Sequence, residues 1–120
     1  MNWEEKLSKD LGLITTGQDF GIINADGKRL KEFIKYFKKN VAIDPWEWEE
    51  LADLILESAN EAILEEYITE GEIDEISYIL RFHRHKFPQS WEYWIKIENE
   101  QDYPIVSIIN NIDTVNSQPR

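Results

Sequence analysis

The stretch Asp44-Pro45-Trp46-Glu47-Trp48-Glu49-Glu50-Leu51-Ala52-Asp53-Leu54-Ile55 decides the reading of this chain. Asp44 is a carboxylate N-cap, Pro45 supplies the backbone angle of a first helical residue without an N–H to leave unsatisfied, and Glu47 stands where a capping box needs an acceptor. A helix starting there is predicted to run to about Thr69, with Gly71 just beyond its end. At roughly 100° per residue, Trp48, Leu51, Ala52, Ile55, Ala59, Ala62 and Ile63 fall on one stripe wide enough to face a core.

Helical spacing continues on both sides. Trp3, Leu7 and Leu11 predict an amphipathic helix over 3–13, closed by the turn-forming residues from Gly12 to Gly17. Leu30, Phe33, Ile34 and Phe37 predict a second helix from Lys28 to Lys39, with Asn40 as its stop. The intervening Phe20-Gly21-Ile22-Ile23-Asn24-Ala25-Asp26-Gly27 reads as a loop, with one brief strand as the alternative. Downstream, Ile73, Ile76, Ile79, Leu80 and Phe87 predict a helix over 72–86, and Ser90 can cap a segment reaching Glu100. Strand stays open for 93–98, where Tyr93, Ile95 and Ile97 alternate, and Pro104 can start a last helix along Ile105, Ile108, Ile109 and Ile112.

The expected fold is therefore all-α, a compact bundle of about five to six helices, with a two-layer arrangement of helical hairpins also open. Residues 1–115 are expected to form one domain and 116–120 a flexible tail, because 120 residues leave no room for a second independent core. With 42% hydrophobic and 12% aromatic residues the chain can build that core, so a charged fraction of 31% describes its surface rather than disorder. The absence of cysteine excludes disulfides, zinc–thiolate sites and thiol chemistry. Neither a basic, apolar leader nor a membrane-length apolar run is present, so a cytoplasmic location is expected.

Charge is segregated along the chain. No lysine or arginine lies between Lys39 and Arg81, while thirteen acids fall in that interval, flanked by the basic 28–39 helix and the run Arg81-Phe82-His83-Arg84-His85-Lys86. A formal net charge of −11 argues against nucleic acid and anionic membranes as partners and in favour of a basic protein. On the helix from Pro45, the acids Glu47, Glu50, Asp53, Glu57, Glu61 and Glu65 share one broad face, and Trp46, Leu54 and Leu64 project among them. These nine residues are the candidate partner-binding surface: acids to speed encounter and apolar side chains to hold the complex. The competing reading is a solvated acidic face, partly neutralised by the 28–39 helix packed alongside, with the three apolar residues buried under another helix.

Enzyme chemistry finds little support. His83 and His85 on one helix would point roughly 200° apart, too far to share a metal, and Leu80 and Phe82 stand where a di-metal bundle would place glutamates. Asp19-Phe20-Gly21 matches a kinase tripeptide, but no Gly-rich loop, strand lysine or catalytic loop accompanies it. No catalytic residue, metal or cofactor is expected.

In length, acidity, helical pattern and aromatic content, with residues 44–55 as the most suggestive part, the chain resembles the immunity proteins of bacterial toxin systems, including those of contact-dependent growth inhibition. The resemblance is one of overall character. It implies a cytosolic antitoxin, monomeric or weakly dimeric when free, that captures a cognate toxin domain, often a basic nuclease, by covering its active site or substrate surface. Such a nuclease must present a basic surface to phosphate, and an acidic helix bearing aromatics competes for it. A general helical interaction module and a nucleic-acid mimic are the alternatives.

Overall fold

A computed structural model describes the backbone of residues 2–42 and 44–117, with side chains as far as 112. Among the described residues all regular structure is helical: α1 (Trp3–Leu11), α2 (Phe20–Asn24), α3 (Leu30–Lys38), α4 (Pro45–Leu64), α5 (Glu70–His83), α6 (Pro88–Ile95) and α7 (Ile105–Ser117), with 3-10 turns at Gly27–Arg29 and Arg84–Lys86.

Several helix ends are set locally, and α1 stops at Leu11, two residues short of the expected 3–13 span. Asn2 caps α1 by accepting from the Glu5 N–H at 2.8 Å, and Gly12 closes that helix at φ 65°. Asp44 caps α4 through the Trp46 N–H at 2.8 Å, with Pro45 in the first turn. Asn40 is the left-handed residue after α3, at φ 57°, a conformation asparagine tolerates better than most residues.

Elsewhere the boundaries move, each for a physical reason. The central helix stops at Leu64 rather than Thr69, because Glu66 turns left-handed at φ 61° and the Tyr67 N–H folds back onto the Ala62 carbonyl at 3.0 Å. Gly71 lies inside the first turn of α5, which opens on a reciprocal capping box between Thr69 and Glu72. That Thr-x-x-Glu signal was present in the sequence. The predicted 72–86 helix ends at His83 and tightens into a 3-10 turn, so the rings of His83 and His85 lie 6.3 Å apart rather than on opposite sides of one helix. α6 begins at Pro88, not Ser90, and ends at Ile95 as helix rather than strand. Of the expected tail, Asn116 and Ser117 continue α7, and 118–120 lie outside the described residues.

The seventh helix is α2, over residues assigned to a loop. Five residues are too few to show helical periodicity, and what makes them a helix is a tertiary contact. A Cβ on Gly21 would stand 2.8 Å from the Asp53 Cβ and 2.9 Å from the Leu54 amide nitrogen, so only glycine lets α2 lie this close to α4.

α4 is the axis of the fold. It touches α1, α2, α3, α6 and α7, and its Ala52, Ile55 and Leu56 line a small internal gap together with Ile76, Ile79 and Leu80 of α5. One apolar cluster draws on all seven helices, from Leu7 and Phe20 through Leu51, Leu54 and Ile55 to Trp94 and Ile109. A helix buried nearly all round has nowhere to place a purely solvated polar face. Several polar residues of α4 therefore hold neighbouring segments.

Candidate functional site

Five polar residues of α4 anchor different parts of the chain. Glu47, 1% exposed, accepts the Lys6 ammonium of α1 at 2.8 Å, and the same ammonium reaches the Val41 carbonyl at 2.5 Å. Glu49 accepts the backbone N–H groups of Gln89 and Ser90 at 3.1 and 2.8 Å. Asp53 accepts Ser90 Oγ at 2.5 Å and Trp94 Nε1 at 3.1 Å. Ser58 Oγ accepts the Asp26 N–H at 3.0 Å, and Asn60 donates to the Asp102 carbonyl while accepting the Ile105 N–H that opens α7. Burying these groups is tolerable because each finds a partner.

The nine sequence-predicted partner-binding residues consequently separate. Leu54 is fully buried beneath α2, and Glu47 is buried against Lys6, so neither offers a free surface. Trp46 and Leu64 are exposed, at 54% and 52%, but they sit near opposite ends of a 20-residue helix, about 27 Å apart along its axis. Glu61 and Glu65 lie at its C-terminal end near Tyr67, whose phenol pKa is raised first by burial and then by their charges. The expected continuous acidic face with apolar residues inside it does not exist, because α2 and α6 lie across the middle of the helix.

Glu50, Asp53 and Glu57 remain together. They form a partly buried row on the middle of α4, and all three carboxyls are held above the usual range. Burial is the largest cause in each case. Asp53 adds a further upward push on Glu50 and Glu57, and Asp19 and Glu4 do so on Glu50. The opposing influences are hydrogen bonds, from the Gly21 amide at Glu50 and from Ser90 and Trp94 at Asp53. Among the described residues no basic side chain offsets them. Among the described residues the ion pairs are Lys6–Glu47, Arg29–Glu32, Lys38–Glu75 and Lys96–Glu92. Although α3 packs on α4, none of its lysines neutralises the row.

The apolar groups beside this row were not singled out by the sequence. α2, seated on Asp53 and Leu54, carries Ile22 and Ile23 at 56% and 54% exposure. The Tyr93 phenol on α6 lies within the field of Glu57 and Asp53, and its ring is 60% exposed. The one available signal was the apolar run Phe20-Gly21-Ile22-Ile23, which has two large residues more than a solvated loop requires. Together these side chains make a partly buried anionic row bordered by three exposed apolar groups. Such an arrangement can receive a cationic side chain, with apolar contact around it.

Among the described residues no three His, Asp or Glu side chains gather so as to hold a metal ion, and no helix is long and apolar enough to cross a membrane. No family model, curated protein or solved structure matches the chain.

Proposed function

We propose that the chain is an acidic inhibitor that captures a basic toxin, a nuclease domain, and covers its active-site or substrate-binding surface, as the immunity proteins it resembles would. The observation that carries this reading is the Glu50–Asp53–Glu57 row: carboxylates raised above their usual range, with no basic partner among the described residues. Keeping such a row charged at neutral pH costs the free protein stability. A lysine or arginine delivered by a partner recovers that cost, and a phosphate-cutting enzyme has such residues on its substrate surface. The acids speed encounter, while Ile22, Ile23 and Tyr93 slow dissociation.

The test is capture from host lysate on the immobilised chain at low and high salt, followed by assay of the retained protein for nuclease activity with and without the chain. The expected result is a basic nuclease, silenced by the chain and retained less well by the Glu50→Lys/Glu57→Lys double variant. A retained partner without degradative activity would favour a general helical interaction module. Retention unaffected by the double variant would sink this assignment of the surface.

A further inference from the structure

A second feature shares no residue with the acidic row. Where the C-terminal ends of α3 and α5 meet, a cavity of about 340 Å³ is lined by Phe37, Lys38, Asn40, Tyr78, Ile79, His83 and Lys86. In a chain of net charge −11, this lining holds two lysines and a histidine and no acid. An adjoining cavity of about 390 Å³ shares Lys38, Tyr78 and Ile79 and extends toward Asp74 and Glu75. The two form one groove with a cationic end and an acidic end.

The cationic end has unused hydrogen-bonding capacity. His83 Nδ1 is buried without a hydrogen-bond partner, a condition that costs free energy unless something pairs with it. Lys86 Nζ bonds Asn40 Oδ1 at 2.8 Å and lies 4.4 Å from the Trp48 ring centroid, and it has no carboxylate partner among the described residues. Lys38, by contrast, is committed to Glu75 at 3.0 Å. The walls are aromatic: the His83 ring lies 6.0 Å from Phe37 and 5.5 Å from Tyr78, centroid to centroid, and Tyr78 and Phe82 are both more than half exposed.

We propose that this groove binds a small anion carrying a planar ring, its carboxylate or phosphate on Lys86 and His83 Nδ1 and its ring against Tyr78. The size suits such a ligand, since small-molecule sites occupy roughly 300–1,000 Å³ and combine apolar walls with a few convergent polar groups. The acidic end, Asp74 and Glu75, disfavours a second negative charge there and so sets the orientation.

His83 also makes the binding pH-dependent. Burial, Lys86 and His85 hold its pKa below the ordinary histidine value, and the other charged groups at the groove are Lys38 and Glu75, already paired with each other, and Asp74 at the far, acidic end. A bound anion favours the imidazolium, so binding takes up a proton and weakens as pH rises.

The test is calorimetric titration of the full chain with AMP, with phenylacetate, and with inorganic phosphate as the ringless control, at about pH 6 and about pH 8. The expected result is saturable binding of at least one ring-bearing anion, tighter than inorganic phosphate, and, for phenylacetate, whose carboxylate stays ionised at both pH values while the phosphates titrate between them, tighter at the lower pH; whether AMP or phenylacetate binds identifies the anionic group. Lys86→Met should weaken binding about tenfold by removing the charge. Tyr78→Ala, at an exposed position, should weaken the ring-bearing ligands several-fold and leave phosphate unchanged. His83→Gln should abolish the pH dependence of phenylacetate binding, and helical circular dichroism verifies that each variant folds. Absence of binding by both ring-bearing anions, or affinity untouched by Lys86→Met and Tyr78→Ala together, overturns the proposal.

Discussion

The carboxylate of Glu49, on α4, accepts the backbone N–H of Ser90, three residues into α6, at 2.8 Å, and its second oxygen accepts the Gln89 N–H at 3.1 Å. α6 has no cap of its own, since Phe87 at the N-cap position offers no side-chain acceptor. A residue 41 positions away in the chain performs that task, placing a negative charge at the positive end of the helix. Glu49→Ala should therefore cost about 1–2 kcal/mol and raise amide exchange in α6 before the rest of the molecule. Uniform exchange across all helices would contradict the local role.

The acidic row makes a prediction of opposite sign. A carboxyl whose pKa is raised by folding contributes a loss of stability that sets in as pH rises above the ordinary carboxylate range and is complete once pH exceeds the folded value. Glu50, Asp53 and Glu57 are all of this kind. Glu50→Gln with Glu57→Gln should raise the Tm by about 2–4 °C at neutral pH, with the gain vanishing below about pH 4. The same pair should weaken capture of a basic partner. A lower Tm at neutral pH would show that the charges are neutralised within the fold.

Leu54 and the isoleucines of α2 distinguish core from surface. Leu54→Ala removes a fully buried side chain and should cost about 3 kcal/mol in denaturant unfolding. Ile22→Ser with Ile23→Ser should change stability by less than about 1 kcal/mol while increasing the partner's off-rate roughly tenfold. Equal effects of the two variants on stability would remove Ile22 and Ile23 from the proposed surface.

Lys6 supplies the cation for the buried Glu47. Because Lys6 is partly exposed, Lys6→Met should cost about 2 kcal/mol, less than the penalty for breaking a fully buried pair. The loss is expected as a lower urea midpoint with an unchanged m-value.

Gly21 sets the separation of α2 and α4, with the nearest atoms to an added Cβ at 2.8 and 2.9 Å. Gly21→Ala must push α2 outward because one of those atoms is backbone, costing about 2 kcal/mol, and it should weaken partner capture by displacing Ile22 and Ile23. Gly71→Ala, where the nearest atom is the Thr69 hydroxyl oxygen at 3.9 Å, is the matched control and should be nearly neutral.

How much was legible in advance follows the range of the interactions. Gly12, Asn40, Asp44 and Pro45 act within a few residues of themselves, and the helix ends they mark occur within two residues of where the sequence places them. The capping box of Thr69 and Glu72 was equally local and was obscured by Gly71 between them. The length of α4 was overestimated because residues 65–69 are compatible with helix, and the stop depends on a left-handed Glu66 that no glycine announces. The candidate site was legible only in its acids: Glu50, Asp53 and Glu57 stay together because positions three and four apart share a helix face.

The sequence by itself determined that this chain is helical, where most of its helices begin to within two residues, and that its charge is segregated, since caps, prolines and apolar spacing act over one or two turns. Only the tertiary structure decided what the acids of α4 face. Helical projection treats the helix as half in water, whereas α2 and α6 cover its middle, converting Glu47, Glu49 and Asp53 into hydrogen-bonding partners for other segments. Those contacts join residues about 40 positions apart, and no local pattern specifies them. They arise because a buried carboxylate must find donors wherever packing brings them.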